Sequence, residues 1–367
     1  MKKFLSVLAA LTLSVSMLAG CGNKTNQTEP SAVPESSQAE SASETVSAAP
    51  EASEQESSTA EAAETAAVTG EETAVRVMAL KGPTAMGMVK LMDTAEAGPV
   101  NGNAYEFTIA ASADEVTPKL VQGDADIAAV PANLASVLYN NTEGKIQVLA
   151  INTLGVLYIV ESGDTVQSAA DLKGKTIYAS GKGSTPEYAL NYILSSNGID
   201  PEKDVTIEWK SEHSECVAAL ASDEGGIAML PQPFVTTAQS KNDKIRIALD
   251  MTKEWDALQK DAENPSALIT GVVVVRSDFA AENPDAVNAF LDSYKESVDY
   301  VNGNTEDAAA LIEKYDIVPA AVAVKALPYC NITFIEGSEM KEKLSGYLSV
   351  LSDQNPKAVG GTLPADD

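Results

Sequence analysis

Four short segments concentrate groups suited to holding a small anion: Gly82-Pro83-Thr84-Ala85, Pro131-Ala132-Asn133, Gly183-Ser184-Thr185 and Pro231-Gln232-Pro233. Each follows an apolar run and leads into a segment with helical periodicity or a further apolar stretch, so each reads as a turn leaving a strand. A helix N-terminus offers unpaired N–H groups and a partial positive charge, which suit carboxylate, sulfonate or phosphate. In open α/β sheets, ligands sit at that edge. Glycine and proline there are also ordinary turn chemistry, and Thr84, Asn133, Ser184 and Thr185 are also ordinary helix caps. The functional reading therefore rests on all four turns converging on one cleft. Three further candidates are Thr153 beside Leu154, His213 beside Glu212, and Trp255, whose indole could stack on a flat ligand.

Catalytic sets are missing. The chain has one histidine and three cysteines, and no Ser/His/Asp or Cys/His arrangement is evident. Clustered Cys and His for zinc are missing too. Gly181-Lys182-Gly183 is not a dinucleotide fingerprint, and no phosphate-binding Walker pattern occurs. The expectation is a binder that is not an enzyme, with no cofactor and no metal. The net charge of −28, from 25 basic against 53 acidic residues, argues against nucleic acid or an anionic membrane surface as partner. Arginine is scarce: only Arg76, Arg246 and Arg276 are present. A bidentate clamp on a dicarboxylate is therefore disfavoured, although Arg276 falls near an expected crossing between lobes. Apart from Cys21, Cys216 and Cys330 allow either one bridge or two buried thiols.

The elements that must position these turns alternate between strand and helix. Strands are expected at 75–80, 105–110, 126–130, 146–151 and 157–160, with helices at 85–92, 114–122 and 134–139. The pattern then restarts after Asp171-Leu172-Lys173-Gly174-Lys175. Strands follow at 176–179, 205–209, 226–230 and 245–249, with helices at 186–194 and 213–221. A β-branched run at 269–275 and helices at 284–301, 305–314 and 337–351 complete the chain. Such alternation indicates βαβ units and mostly parallel sheets. The restart indicates two α/β lobes with a ligand cleft between them. Lobe 1 is expected at 74–163, lobe 2 at 164–268, and the return crossing with mainly lobe 1 helices at 269–367. The crossings are placed at 161–167 and 267–275.

The N-terminus reads as an export signal. Met1-Lys2-Lys3 is basic, an apolar run follows, and Leu18-Ala19-Gly20-Cys21 closes it with small residues before a cysteine. Residues 1–20 are expected to be removed and Cys21 to be acylated, because the tetrad resembles the bacterial lipobox. Residues 21–73 carry Ser, Ala, Glu, Thr and Pro with eleven acidic residues and no aromatic. Such a segment buries too little apolar surface to offset its ordering entropy, so a disordered stalk on the order of 40 Å long is expected.

Several stretches of the folded part resemble the nitrate/sulfonate/taurine and thiamine-precursor-binding proteins of ABC importers. They are Leu80-Lys81-Gly82-Pro83-Thr84, the run Leu120 to Ala128 with its Gly123 and Asp126, the 171–175 turn, and Pro231-Gln232-Pro233-Phe234. Gln232 stands where that family often has glutamate. The resemblance implies a two-lobed type II periplasmic-binding fold and capture of a small molecule by lobe closure. It also implies ABC permease and ATPase partners and an extracytoplasmic location, on a cell surface of the Gram-positive type, with the chain held to the membrane by its lipid anchor alone. A monomer is expected. The competing class is a stalked surface sensor or adhesin that uses the same fold without transport.

Overall fold

The computed structural model of the protein describes residues 72–262 and 266–365. The expected signal, the lipidation site Cys21 and the stalk up to residue 71 lie outside the described residues. The chain opens with β1 (Thr73–Leu80), α1 (Pro83–Met86), α2 (Val89–Ala95), β2 (Asn103–Ala110), α3 (Ala113–Gln122), β3 (Ile127–Pro131), α4 (Ala132–Asn141) and β4 (Ile146–Leu154). A second unit follows with β5 (Leu157–Glu161), β6 (Thr176–Ser180), α5 (Thr185–Ser196), β7 (Thr206–Lys210), α6 (His213–Ser222), β8 (Ile227–Pro231), α7 (Phe234–Lys241), β9 (Arg246–Asp250) and α8 (Met251–Gln259). The chain returns through β10 (Ile269–Arg276), α9 (Ser277–Glu282), α10 (Pro284–Gly303), α11 (Thr305–Lys314), α12 (Ala320–Ala326), β11 (Ile332–Ile335) and α13 (Gly337–Gln354).

Two sheets result, ordered β11-β4-β10-β3-β1-β2 and β7-β6-β8-β5-β9. In the first, β1 runs parallel to β2 and β3, while β10 lies antiparallel between β3 and β4. In the second, β6 runs parallel to β7 and β8, while β5 lies antiparallel between β8 and β9. Apart from the edge strand β11, the two sheets share one plan: three parallel strands, one antiparallel strand, and a fourth beyond it. The antiparallel member is the strand the chain lays down just after crossing. This is the two-lobed α/β architecture expected from the restart.

The crossing itself is earlier than expected. Strand β5, placed by the sequence in lobe 1, pairs wholly within the second sheet, so the chain passes between lobes at Gly155-Val156. A periodicity argument registers β5 only as another apolar run, because its burial on both faces erases any alternation. Gly155 matters for a steric reason: a Cβ there would lie 2.1 Å from Thr252 Oγ1 and 3.1 Å from Leu268 Cδ2. The outgoing and returning strands can run side by side only with no side chain between them.

Packing follows the pattern of each element. Val272, Val273, Val274 and Val275 are fully buried because β10 is central and covered on both faces. Helix α10 buries Ala286, Val287, Phe290, Ser293, Tyr294, Ser297, Val298 and Val301, a three-and-four spacing that makes one apolar stripe. Burying Phe290 alone stabilises the lobe by about 1.5–3 kcal/mol. The single helix expected at 85–92 is two pieces, α1 and α2, separated at Gly87 and Met88. A Cβ on Gly87 would come within 3.1–3.2 Å of Ile332, Tyr294 and Val298, so α10 presses directly on the backbone there. The α10 to α12 side forms one apolar cluster of lobe 1. The opposite face, with α3, α4 and α13, is continuous with the α5 and α8 face of lobe 2 in a cluster that spans both lobes. Cys216 and Cys330 are free and buried, one in the core under α6 and the other in the cluster under α10.

Gly155→Ala is expected to destabilise the protein by about 1–3 kcal/mol, the usual cost of forcing volume into a packed site. Adding Thr252→Ala should recover part of that loss, because it removes the nearest obstructing atom. Urea unfolding of the two single variants and the double variant measures this. Simple additivity of the two losses would show that Thr252 is not what obstructs a side chain at position 155.

Candidate functional site

The cleft edge of each lobe is where parallel strands end and helices begin. In lobe 1, Gly82 leads from β1 into α1 with φ 131°, a backbone region open to glycine. Thr84 is buried and donates from Oγ1 to Leu80 O at 2.8 Å. Asn152 Nδ2 donates to Thr84 O at 3.3 Å, and Thr153 Oγ1 donates to Asn152 Oδ1 at 3.2 Å. A Cβ on Gly271 would meet Asn152 Oδ1 and Thr84 Cγ2, both at 2.6 Å. The turn 82–85 and Thr153 are therefore brought together at the start of the returning strand, where a polar nest forms between the crossings. Thr270 Oγ1, in the same stretch, is buried without a hydrogen-bond partner. The sequence reading missed both Asn152 and Thr270, and nothing in their local spacing marks them.

Lobe 2 contributes a second group. Ser180, the last residue of β6, lies with Oγ 2.5 Å from Nδ1 of His213, the first residue of α6. The imidazole sits against Phe234, with ring centroids 5.0 Å apart. Desolvation pushes the His213 pKa down to about 4, so the ring is neutral near pH 7. Ser180 was not singled out from the sequence; its position as the last strand residue before Gly181 was the available signal. Gln232 is buried, and its Oε1 accepts from Thr236 N–H at 3.3 Å and Thr236 Oγ1 at 2.9 Å. Its backbone N–H donates to Val156 O at 3.0 Å. Gln232 and Pro233 thus tie the start of α7 to the outgoing crossing. Gly183 N–H donates to Glu187 Oε2, closing the first turn of α5.

The turns at Asn133 and at 184–185 meet each other. Asn133 Oδ1 accepts from Thr185 N–H at 3.1 Å, from Thr185 Oγ1 at 3.3 Å and from Ser184 Oγ at 3.5 Å. Thr185, expected as the N-cap of its helix, is instead its first residue, and the preceding Ser184 makes no side-chain cap. The capping acceptor comes from the other lobe. A further bond joins the two lobes, with Tyr158 Oη donating to Tyr329 O at 3.3 Å.

Two expectations are corrected. Trp255 is fully buried, with Tyr192 at 4.6 Å and Tyr347 at 5.6 Å between ring centroids. Its Nε1 donates to Ser266 O and Oγ. No face of the indole is left for stacking, because α5, α8 and α13 close around it. Arg276 lies at the edge of lobe 1 away from the cleft, where Arg76 and Arg276 both pair with the buried carboxylate of Asp126. In lobe 2, Arg246 Nη2 pairs at 2.8 Å with Glu161, whose side chain is fully buried. Burial works to raise the Glu161 carboxyl, but hydrogen bonds from Thr165 and Val166 and the Arg246 charge outweigh it and hold the group low. All three arginines are therefore spent on structure, each at the strand ends opposite the cleft.

Among the described residues, no group of three or more His, Cys, Asp or Glu side chains is placed to hold a metal. A cavity of about 390 Å³ lies in lobe 1 between α4, β4 and α13, under the tail at Leu363-Pro364-Ala365. Of the expected turns only Ala132 borders it, and the nest between the crossings is separate from it.

The profile of the periplasmic substrate-binding proteins of phosphonate ABC transporters matches residues 83–325. The chain belongs to this family of ABC-importer substrate-binding proteins. A binding protein of Brucella suis biovar 1 (strain 1330) is 28% identical over 178 residues, covering 48% of this chain and 52% of the relative. The binding protein YtlA of Bacillus subtilis (strain 168) is 25% identical over 35% of this chain and 47% of YtlA. The chain spans about half the length of the curated relatives it matches. Among solved structures, an ABC transporter protein from Parabacteroides distasonis superposes with a TM-score of 0.66 at 23% identity, covering 80% of this chain and 97% of the other. The aliphatic sulphonate binding protein SsuA of Escherichia coli gives 0.63 at 16% identity, covering 80% and 92%. The nitrate-binding protein NrtA of Synechocystis PCC 6803 gives 0.60 at 16%, covering 78% and 82%. These likenesses establish the two-lobed fold.

The neutral His213 makes stability fall as pH is lowered. An unfolded histidine takes up its proton near pH 6.5, whereas the folded one resists until about 4, so protons favour the unfolded chain between those values. The urea midpoint of His213→Gln is expected to decline less than that of the wild type across this window. Parallel curves for the two proteins would mean that the imidazole is not desolvated as described.

Proposed function

We propose that the protein captures a small anionic or polar solute outside the cell and delivers it to an ABC permease with its ATPase. Closure of the two lobes is the capture step. The observation that carries this reading is the pair of matching sheets joined by two crossings, with Thr84 and Ser180 at strand-to-helix turns, one in each lobe. Solute that touches Thr84, Thr153 and the 82–85 turn on one side and Ser180 and His213 on the other stabilises only the closed arrangement. Gln232 and Pro233 set the floor near the crossing. With the three arginines occupied elsewhere, an oxyanion at this site is held by N–H groups and hydroxyls. Relatives of this shape include proteins named for aliphatic sulphonates and for nitrate, and the family is named for phosphonate. These three solute classes head the candidates.

The Leu18-Ala19-Gly20-Cys21 tetrad supports acylation of Cys21 and a tether to the outer face of the membrane, with the residues between Cys21 and β1 as stalk. No helix of the described residues is long and apolar enough to cross a membrane. The working unit is a monomer that needs no cofactor and performs no chemistry on its solute.

A thermal-shift series on the protein with methylphosphonate, an alkanesulfonate, nitrate, pyrimidines, amino acids and vitamins tests this. One class is expected to raise the melting temperature with concentration, as binding to the native state alone requires. Ser180→Ala and His213→Ala should weaken that shift, with roughly tenfold lost per hydrogen bond to the solute. Uptake of the same solute by cells lacking the protein should drop. Binding without any change in uptake would rule out the transport role.

A further inference from the structure

The 12-residue helix α5 begins without a cap of its own. Its first N–H and the Thr185 hydroxyl both go to Asn133 Oδ1, at the start of α4 in the other lobe. This junction is sealed. Asn133 is 2% exposed, and Thr185 and Tyr347 are fully buried. Tyr347 Oη donates to Thr185 Oγ1 at 3.2 Å. On its other side Asn133 Nδ2 donates to Ala358 O at 3.3 Å, which fixes the orientation of the carboxamide and turns its oxygen toward lobe 2. The side chain thus has one end on the C-terminal turn of lobe 1 and the other on the helix of lobe 2.

We propose that Asn133 is an interlobe cap, a positioning residue that holds the two lobes together before any solute arrives. The proposal rests on the reading of the cleft as a solute site and adds a regulatory element to it. A buried N–H left without a partner is costly, and a helix N-terminus concentrates such groups. Parting the lobes here uncovers the Thr185 N–H, its hydroxyl and the Tyr347 hydroxyl together. The closed arrangement is then already favoured in the empty protein. The carboxamide oxygen occupies the donors that a negatively charged group would otherwise find at α5. Solute contacts are left to the turns nearer the crossings, at Thr84, Ser180 and His213.

The test uses the full chain without added solute. With Cys21→Ser in every variant, cysteines placed at the exposed positions Gln122 and Glu202, one per lobe, carry spin labels, while the buried Cys216 and Cys330 stay unlabelled. The wild-type background should give a distribution dominated by one closed-state distance, with a minor open population through which solute enters. Asn133→Ala should lengthen and broaden it, with the open population rising on the order of tenfold or more. Thr185→Val removes the hydroxyl alone and should give an intermediate shift, which keeps the test decisive if Asn133→Ala fails to fold. An unchanged distribution in folded Asn133→Ala, or in Thr185→Val if only that variant folds, overturns the proposal. A failed solute screen would sink the importer reading while leaving these distances as they are, so the two ideas fail separately.

Discussion

Everything in the molecule depends on the chain crossing between its sheets twice within a few ångströms. Strand β4 runs into β5 through Gly155-Val156, and the return into β10 passes beside it. Because β5 and β10 are each the antiparallel member of a sheet, neither sheet is complete until the chain has crossed. The crossings also decide where polar groups are tolerated. Asn152, Thr153 and Gly271 pack in the small space that the lack of a side chain at Gly271 leaves, and Thr84 reaches the same spot from β1. A strand pair with ordinary side chains at these points would fill the nest with carbon.

The two lobes solve their electrostatics alike. Each buries one carboxylate at the end away from the cleft and neutralises it with arginine, Asp126 with Arg76 and Arg276, and Glu161 with Arg246. A buried charge survives only when paired and hydrogen-bonded. Placing these pairs at the closed ends keeps arginine away from the strand-to-helix edge, which carries hydroxyls, amides, one uncharged imidazole and the capping carboxylate of Asp250. With arginine placed elsewhere, N–H groups and hydroxyls are the available anion donors.

Much of this architecture was legible in the residues. The restart after Lys175, the strand-to-helix turns and the long β10 all come from local pattern, since apolar periodicity reports burial and glycine reports turns. What escaped were facts created by tertiary contact. Strand β5 looks like any apolar run until its sheet partners are known. The break at Gly87 comes from pressure by α10, which lies some two hundred residues later. Trp255 and Arg276 sat at plausible points along the chain, but their surroundings are set by Tyr192, Tyr347 and Asp126, distant in sequence. Asn133 and Thr185 were each legible as turn residues, whereas their bond to one another was not. The order of the turns could be read locally; which turns touch could not.

The two free thiols have a consequence of their own. Burial pushes the pKa of Cys216 up to about 11 and that of Cys330 up to about 12, so almost no thiolate exists at neutral pH. Neither sulfur reacts until the core around it opens, and the two cores belong to different lobes. The chain therefore carries a pair of built-in clocks. The rate at which each cysteine yields to a thiol reagent reports how often its own lobe breathes, and comparing the two rates tells which lobe loosens first.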